Sequence, residues 1–123
     1  MSIGKEILHQ LKVLTPMPVF WSWGASKFQT VGENQLQGID ENYLGGLIFF
    51  VRGLKHRGHV FITLSPMDTY TVSIGHLRHF TFNVKKQKKD VYFDELYQTI
   101  DALIEDTENN PMLAKKAITK AFA

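Results

Sequence analysis

Between residues 44 and 85 the apolar strings "LGGLIFFVRG", "HVFITL", "YTVSI" and "FTFNVK" are separated only by the short polar strings "LKHRG", "SPMDT" and "GHLRH". Parallel neighbours need a crossover of a dozen or more residues, and gaps this short cannot hold one. The spacing therefore predicts an antiparallel meander. In the third string Tyr70, Val72 and Ile74 alternate with Thr71 and Ser73, and in the fourth Phe80, Phe82 and Val84 alternate with Thr81 and Asn83. Such period-two patterns give each strand one apolar and one polar face. The first string is apolar on both faces, with Leu44, Ile48 and Phe50 on one and Leu47, Phe49 and Val51 on the other. It is expected to be a central strand covered on both sides.

The flanks carry a helical period. Ile3, Ile7, Leu8, Leu11 and Leu14 mark a helix over 2–14 with Ser2 as its cap, and "TPMP" ends it. A strand is expected over about 19–31, in which Val19, Trp21 and Trp23 share one face. That face is expected to turn inward, each indole N–H finding a partner, rather than to stand exposed as a binding platform. The string "GENQLQGIDEN" reads as a loop with a short strand near Leu36. Phe93, Leu96, Tyr97, Ile100, Leu103 and Ile104 form the stripe of a helix over 91–106, with Asp94, Glu95, Asp101, Glu105 and Asp106 largely off it. A last helix is expected over 111–122. The fold class is α+β: an N-terminal helix, a four- to five-stranded antiparallel meander and two C-terminal helices covering it. Residues 1–108 are expected to form a single domain and 109–123 a helical extension.

A chain of 123 residues suits one domain, large enough to hold a core without staples. It has no cysteine, which removes disulfides, thiolate ligands and a cysteine nucleophile. "GGLIFFV" is too short to cross a bilayer, and "MSIGKEILHQLK" lacks the pattern of a secretory signal. The expected location is the cytoplasm, with no membrane partner. The formal net charge of +2 hides a segregated layout. Residues 1–89 carry eleven Lys or Arg against five Asp or Glu, whereas 90–108 carry seven acids and no Lys or Arg. Such a layout gives the molecule a field with a direction.

Alternate turns of a meander lie at one end of the sheet. The turns near 53–58 and 75–79 should therefore meet, gathering Arg52, Lys55, His56, Arg57, His59, His76, Arg78 and His79 with no acid. Arg52, Lys55, His56, Arg57, Arg78 and His79 are accordingly the candidate residues for nucleic acid, another anion or an acidic protein. "HRGH" and "HLRH" each place two histidines three apart, but the interposed arginines repel a cation and the spacing matches no zinc finger, so no metal is expected. "KKQKK" at 85–89 reads as a solvated strand end balancing Asp90 and Asp94, and Asp68 as a turn residue. Neither a phosphate-loop pattern nor G-x-S-x-G nor H-E-x-x-H occurs, so neither cofactor nor enzymatic activity is expected.

The strings "PVFWSWGASKF", "GLIFFVRGLKHRG", "LSPMDTYTV" and "DVYFDEL" resemble small proteins of Bacteroidetes genomes and their phages and mobile elements, over about residues 5–106. The resemblance implies a phage or mobile-element setting and assigns no functional residue. The leading functional expectation is a non-enzymatic binding or assembly protein, homodimeric if Phe49 and Phe61 form an exposed patch on a sheet face its own helices leave open. The alternative is a nucleic-acid-binding module using the basic hairpin tips.

Overall fold

The structure is a computed structural model and describes residues 2–104. Helix α1 (Ile3–Leu14) begins as the sequence implies, with Ser2 Oγ accepting from the Lys5 amide at 3.4 Å. Its buried side, Ile7 and Leu11, packs on the sheet. Five antiparallel strands follow in sequence order: β1 (Ser26–Val31), β2 (Gly45–Arg52), β3 (Arg57–Leu64), β4 (Tyr70–Arg78) and β5 (Thr81–Val91). A 3-10 turn (Phe93–Glu95) leads into helix α3 (Leu96–Ile104), which lies against β4 and β5. Between α1 and β1 stands α2 (Met17–Ser22). The mixed α+β class and the meander are thus as expected, whereas the last helix expected over 111–122, and with it the 109–123 extension, lies outside the described residues.

The strand expected from residue 19 is a helix as far as Ser22, and β1 starts at Ser26. Pro16 takes the N-cap position and Pro18 lies in the first turn. A proline there loses no hydrogen bond, because the first amides of a helix are unpaired in any case, and its fixed φ suits the helix. The prolines that end α1 therefore also start α2. The two tryptophans consequently part company. Trp23 is 0 % exposed, and its indole Nε1–H donates to Asp101 Oδ1 on α3 at 3.1 Å; Trp21 is 49 % exposed. Asp101 is itself buried, which corrects its expected place off the helix stripe.

Within the chain the helices cover one sheet face and a loop covers part of the other. Leu47, Phe49 and Val51 of β2, Val60 and Ile62 of β3, and Val72 and Ile74 of β4 form one core with Ile7, Leu11, Trp23, Leu96, Ile100 and Ile104. On the other face Ile48, Phe61 and Phe82 pack beneath Leu36 and Tyr43 of the loop 32–44. That loop is held closed locally: Tyr43 Oη accepts from the Leu36 amide at 2.7 Å and donates to its carbonyl at 2.9 Å, and Asn34 Oδ1 accepts from the Tyr43 amide at 2.9 Å. Phe49 and Phe61 are 1 % and 0 % exposed and lie on opposite faces, so they form no surface patch. The loop supplies the second cover that the apolar pattern of β2 demanded.

Two boundaries differ from expectation. "GHLRH" is not a turn, because β4 runs on through Arg78. Gly75 is there because β5 passes so close that a Cβ would strike the Asn83 carbonyl, where the register shifts between Ile74 and Gly75. β5 likewise continues to Val91, which pairs with Tyr70, so α3 starts later than residue 91. The lysines of "KKQKK" lie inside this edge strand, where charge discourages pairing with another chain. Lys89 approaches Asp40 and Glu41, each at 3.8 Å, rather than Asp90 or Asp94. Asp68 takes φ +65° in the β3–β4 turn, its amide donating to the Ser65 carbonyl at 3.0 Å.

Candidate nucleic-acid interface

The alternation of β2 decides what its end displays. Leu47, Phe49 and Val51 point to the helices, so Phe50 and Arg52 point to the other face. Their partners across the β2–β3 hairpin are His59 and Arg57. Two arginines thus stand directly opposite each other in the ladder, an arrangement that costs stability when nothing neutralises it. Among the described residues neither arginine pairs with a carboxylate. The strand segments that build this end, 26–31, 50–59 and 75–85, contain no Asp or Glu. The loop that covers Ile48 and Phe61 leaves Arg52 and Arg57 exposed and Phe50 and His59 half-buried. Lys27 of β1 sets its Nζ 5.5 Å from the Phe50 ring centre, and His59 meets that ring edge-on at 5.4 Å. The result is a basic, partly aromatic strip on the open half of a sheet face.

The two hairpin ends do converge. The Leu77 amide donates to His59 Nδ1 at 3.2 Å, and the His56 and His76 rings lie 5.8 Å apart. Gly58 permits this crowding, since a Cβ there would sit 2.8 Å from His76 Cε1 and 2.9 Å from His56 Nε2. Arg78 and His79 are exposed at the β4–β5 end, as the charge pattern implied. Two of the candidates do structural work instead. Lys55 closes the end of α3, its Nζ donating to the Ala102 carbonyl at 2.9 Å and its amide to Ile104 at 2.8 Å. His56 is 3 % exposed with Nε2 against the His59 carbonyl at 3.2 Å. His76 lies within β4 rather than in a turn.

Lys27, Phe50 and Phe80 were not candidates from sequence. Lys27 and Phe50 join the strip through the β1–β2 and β2–β3 registers, which no local pattern shows. Phe80, assigned from its alternation to a strand face, instead shares the two-residue β4–β5 turn with His79. Their φ angles are +64° and +51°. Such turns favour Asn and Gly; a bulky residue held there costs on the order of 1–3 kcal/mol. Gln37 of the covering loop fixes the strained turn, its amide donating to the Phe80 carbonyl at 2.9 Å and its carbonyl accepting from the Phe82 amide at 2.7 Å. The Phe80 ring is 73 % exposed.

Burial holds the His56 imidazole below the ordinary value of 6.5, and Lys85 and His76 push the same way against the His59 carbonyl. Burial, then His76, Lys27 and His56, lower His59 likewise. With Nδ1 accepting from Leu77, neutral His59 carries its proton on Nε2. Since the unfolded chain binds these protons more readily, the stabilisation is present above about pH 6.5 and is lost as pH falls through the folded values beneath it. The urea midpoint is expected to drop between about pH 7.5 and pH 5, and less so in His56→Gln. A midpoint flat across that range would contradict the arrangement.

At the opposite end a cavity of about 490 Å³ is lined by Glu6, Gln10, Asp68, Tyr70 and Tyr92 among others, with no histidine or lysine among the described residues that line it. Among the described residues no cluster of three His, Asp or Glu is placed to hold a metal ion, and no helix is long and apolar enough to cross a membrane. Comparison with known protein families, curated proteins and solved structures finds no match.

Proposed function

We propose that the chain is a small binding module that takes nucleic acid on the open, basic half of its sheet. The observation that carries this reading is the Arg52–Arg57 pair, opposed across a hairpin and, among the described residues, in no ion pair with a carboxylate. An anionic ligand relieves that repulsion; Lys27 beside Phe50 and the exposed Arg78 and His79 at the adjoining β4–β5 turn are further cations of this end, more than a single small anion needs. Phosphate contacts of this kind release counterions, so affinity falls steeply with salt. Fluorescence anisotropy of labelled oligonucleotides across a salt series tests it. Binding that weakens linearly in log salt is expected, and unchanged anisotropy at low salt for every probe overturns it.

A second reading, association between two copies of the chain, has its own observation. Val13, Leu14, Met17 and Trp21 are 66, 40, 57 and 49 % exposed and lie close in sequence where α1 meets α2. Met17 and Trp21 border an apolar hollow with Lys12 as its charged member. A patch of this character marks interfaces, and it replaces the Phe49–Phe61 surface as the site of a homodimer. Light scattering is expected to give twice the chain mass, reduced to one by Trp21→Glu. A monomer at high concentration removes this reading.

A further inference from the structure

We infer that the nucleic acid taken by this surface is single-stranded, and that Phe80 is the ring on which an unpaired base stacks. The inference rests on the reading of the basic end as a nucleic-acid interface and goes further, to the class of strand. Phe80 is the most exposed aromatic ring among the described residues, at 73 %. Water is a poor place for a phenyl ring, and the turn that displays it is one where asparagine or glycine would sit without strain. Gln37 holds the backbone just after the ring, at the Phe80 carbonyl and the Phe82 amide, so the ring is presented from a fixed support rather than from a free tip.

The surroundings fit a strand with splayed bases. Arg78 precedes the turn, and the Leu77–His59 hydrogen bond lays this end of β4 beside the start of β3, where Arg57 stands opposite Arg52. A phosphate held by Arg78, two residues before Phe80, leaves the adjoining base within reach of the ring. Phe50 cannot take the same part, because Lys27 and His59 already occupy its surroundings at 5.5 Å and 5.4 Å. Bases inside a duplex are stacked on one another and offer no free face. Stacking on Phe80 therefore adds affinity for single strands only, while the arginines serve both forms.

The test compares a labelled single-stranded oligonucleotide with the corresponding duplex, by anisotropy, for wild type, Phe80→Ala, Phe80→Asn and Phe80→Tyr. Asparagine accepts the positive φ, so Phe80→Asn keeps the fold while removing the ring. Single-strand affinity is expected to fall roughly 5- to 100-fold in the Ala and Asn variants and to survive in Phe80→Tyr. The salt slope stays unchanged, because no phosphate contact is lost. Duplex affinity is expected to be weaker and indifferent to all three variants. Preference for duplex, or single-strand affinity untouched by loss of the ring, overturns the stacking role while leaving nucleic-acid binding intact. Absence of binding to either probe instead overturns the underlying reading.

Discussion

Replacing Trp23 with alanine is expected to destabilise the fold by about 3–5 kcal/mol, which exceeds a third of the stability of many domains this size. The indole is 0 % exposed and joins α2 to the central core, while its N–H reaches Asp101 Oδ1 on α3 at 3.1 Å. Two contributions are therefore lost together: the transfer of a large ring with the cavity left behind, and a buried hydrogen bond across 78 residues of sequence. Phe at position 23 separates them, since it keeps most of the volume and loses the donor. It is expected to cost about 1–3 kcal/mol. Trp21→Ala, two residues away, is expected to stay within about 0.5 kcal/mol, because that ring is half in water. Urea unfolding of the three variants gives the comparison, and equal losses at positions 21 and 23 would contradict the division of labour between the tryptophans.

That division was hidden for a definite reason. Two tryptophans spaced by two fit a strand face, and six residues of α2 are too few to show a helical period. Only the first-turn tolerance for Pro18 distinguishes the two conformations. By contrast, the meander was legible because Tyr70–Val72–Ile74 and the strings before it alternate across gaps too short for any other connection. Asp101 teaches the opposite lesson. Its spacing from Tyr97 and Ile104 places it on the buried stripe, and its charge alone argued for the outside. The hydrogen bond to Trp23 decided the matter, and that partner is remote in sequence. At the basic end, the alternation of the meander's turns together with the charge pattern picked out Arg52, Arg57, Arg78 and His79. Lys27 and Phe80 depended on the β1–β2 register and on a turn formed without glycine or asparagine.

The second large effect is on binding. On the proposed nucleic-acid reading, reversing Arg57 and Arg78 together removes two charge-assisted phosphate contacts and introduces repulsion in their place. Each such contact contributes roughly 1.5–3 kcal/mol, so the double variant is expected to bind on the order of 100-fold or more weakly. Both arginines are exposed, and Arg57→Glu also puts a carboxylate opposite Arg52, turning an opposed like-charged pair into an attractive one. The fold is therefore expected to be unharmed or slightly more stable, which keeps a loss of binding from being a loss of structure.

Net charge alone would lower affinity wherever it was changed, so the location of the effect is the decisive quantity. Lys86 and Lys88 supply the control: they lie on β5, opposite Ile74 and Val72, away from the β4–β5 turn. The measurement is the anisotropy-derived affinity of one labelled oligonucleotide, in a single buffer at physiological salt, for Arg57→Glu/Arg78→Glu and for Lys86→Glu/Lys88→Glu. The expected result is a loss of about 100-fold or more for the arginine pair, against a few-fold for the lysine pair. Equal losses for the two pairs, or none for the arginines, would contradict a binding surface at the basic end of the sheet.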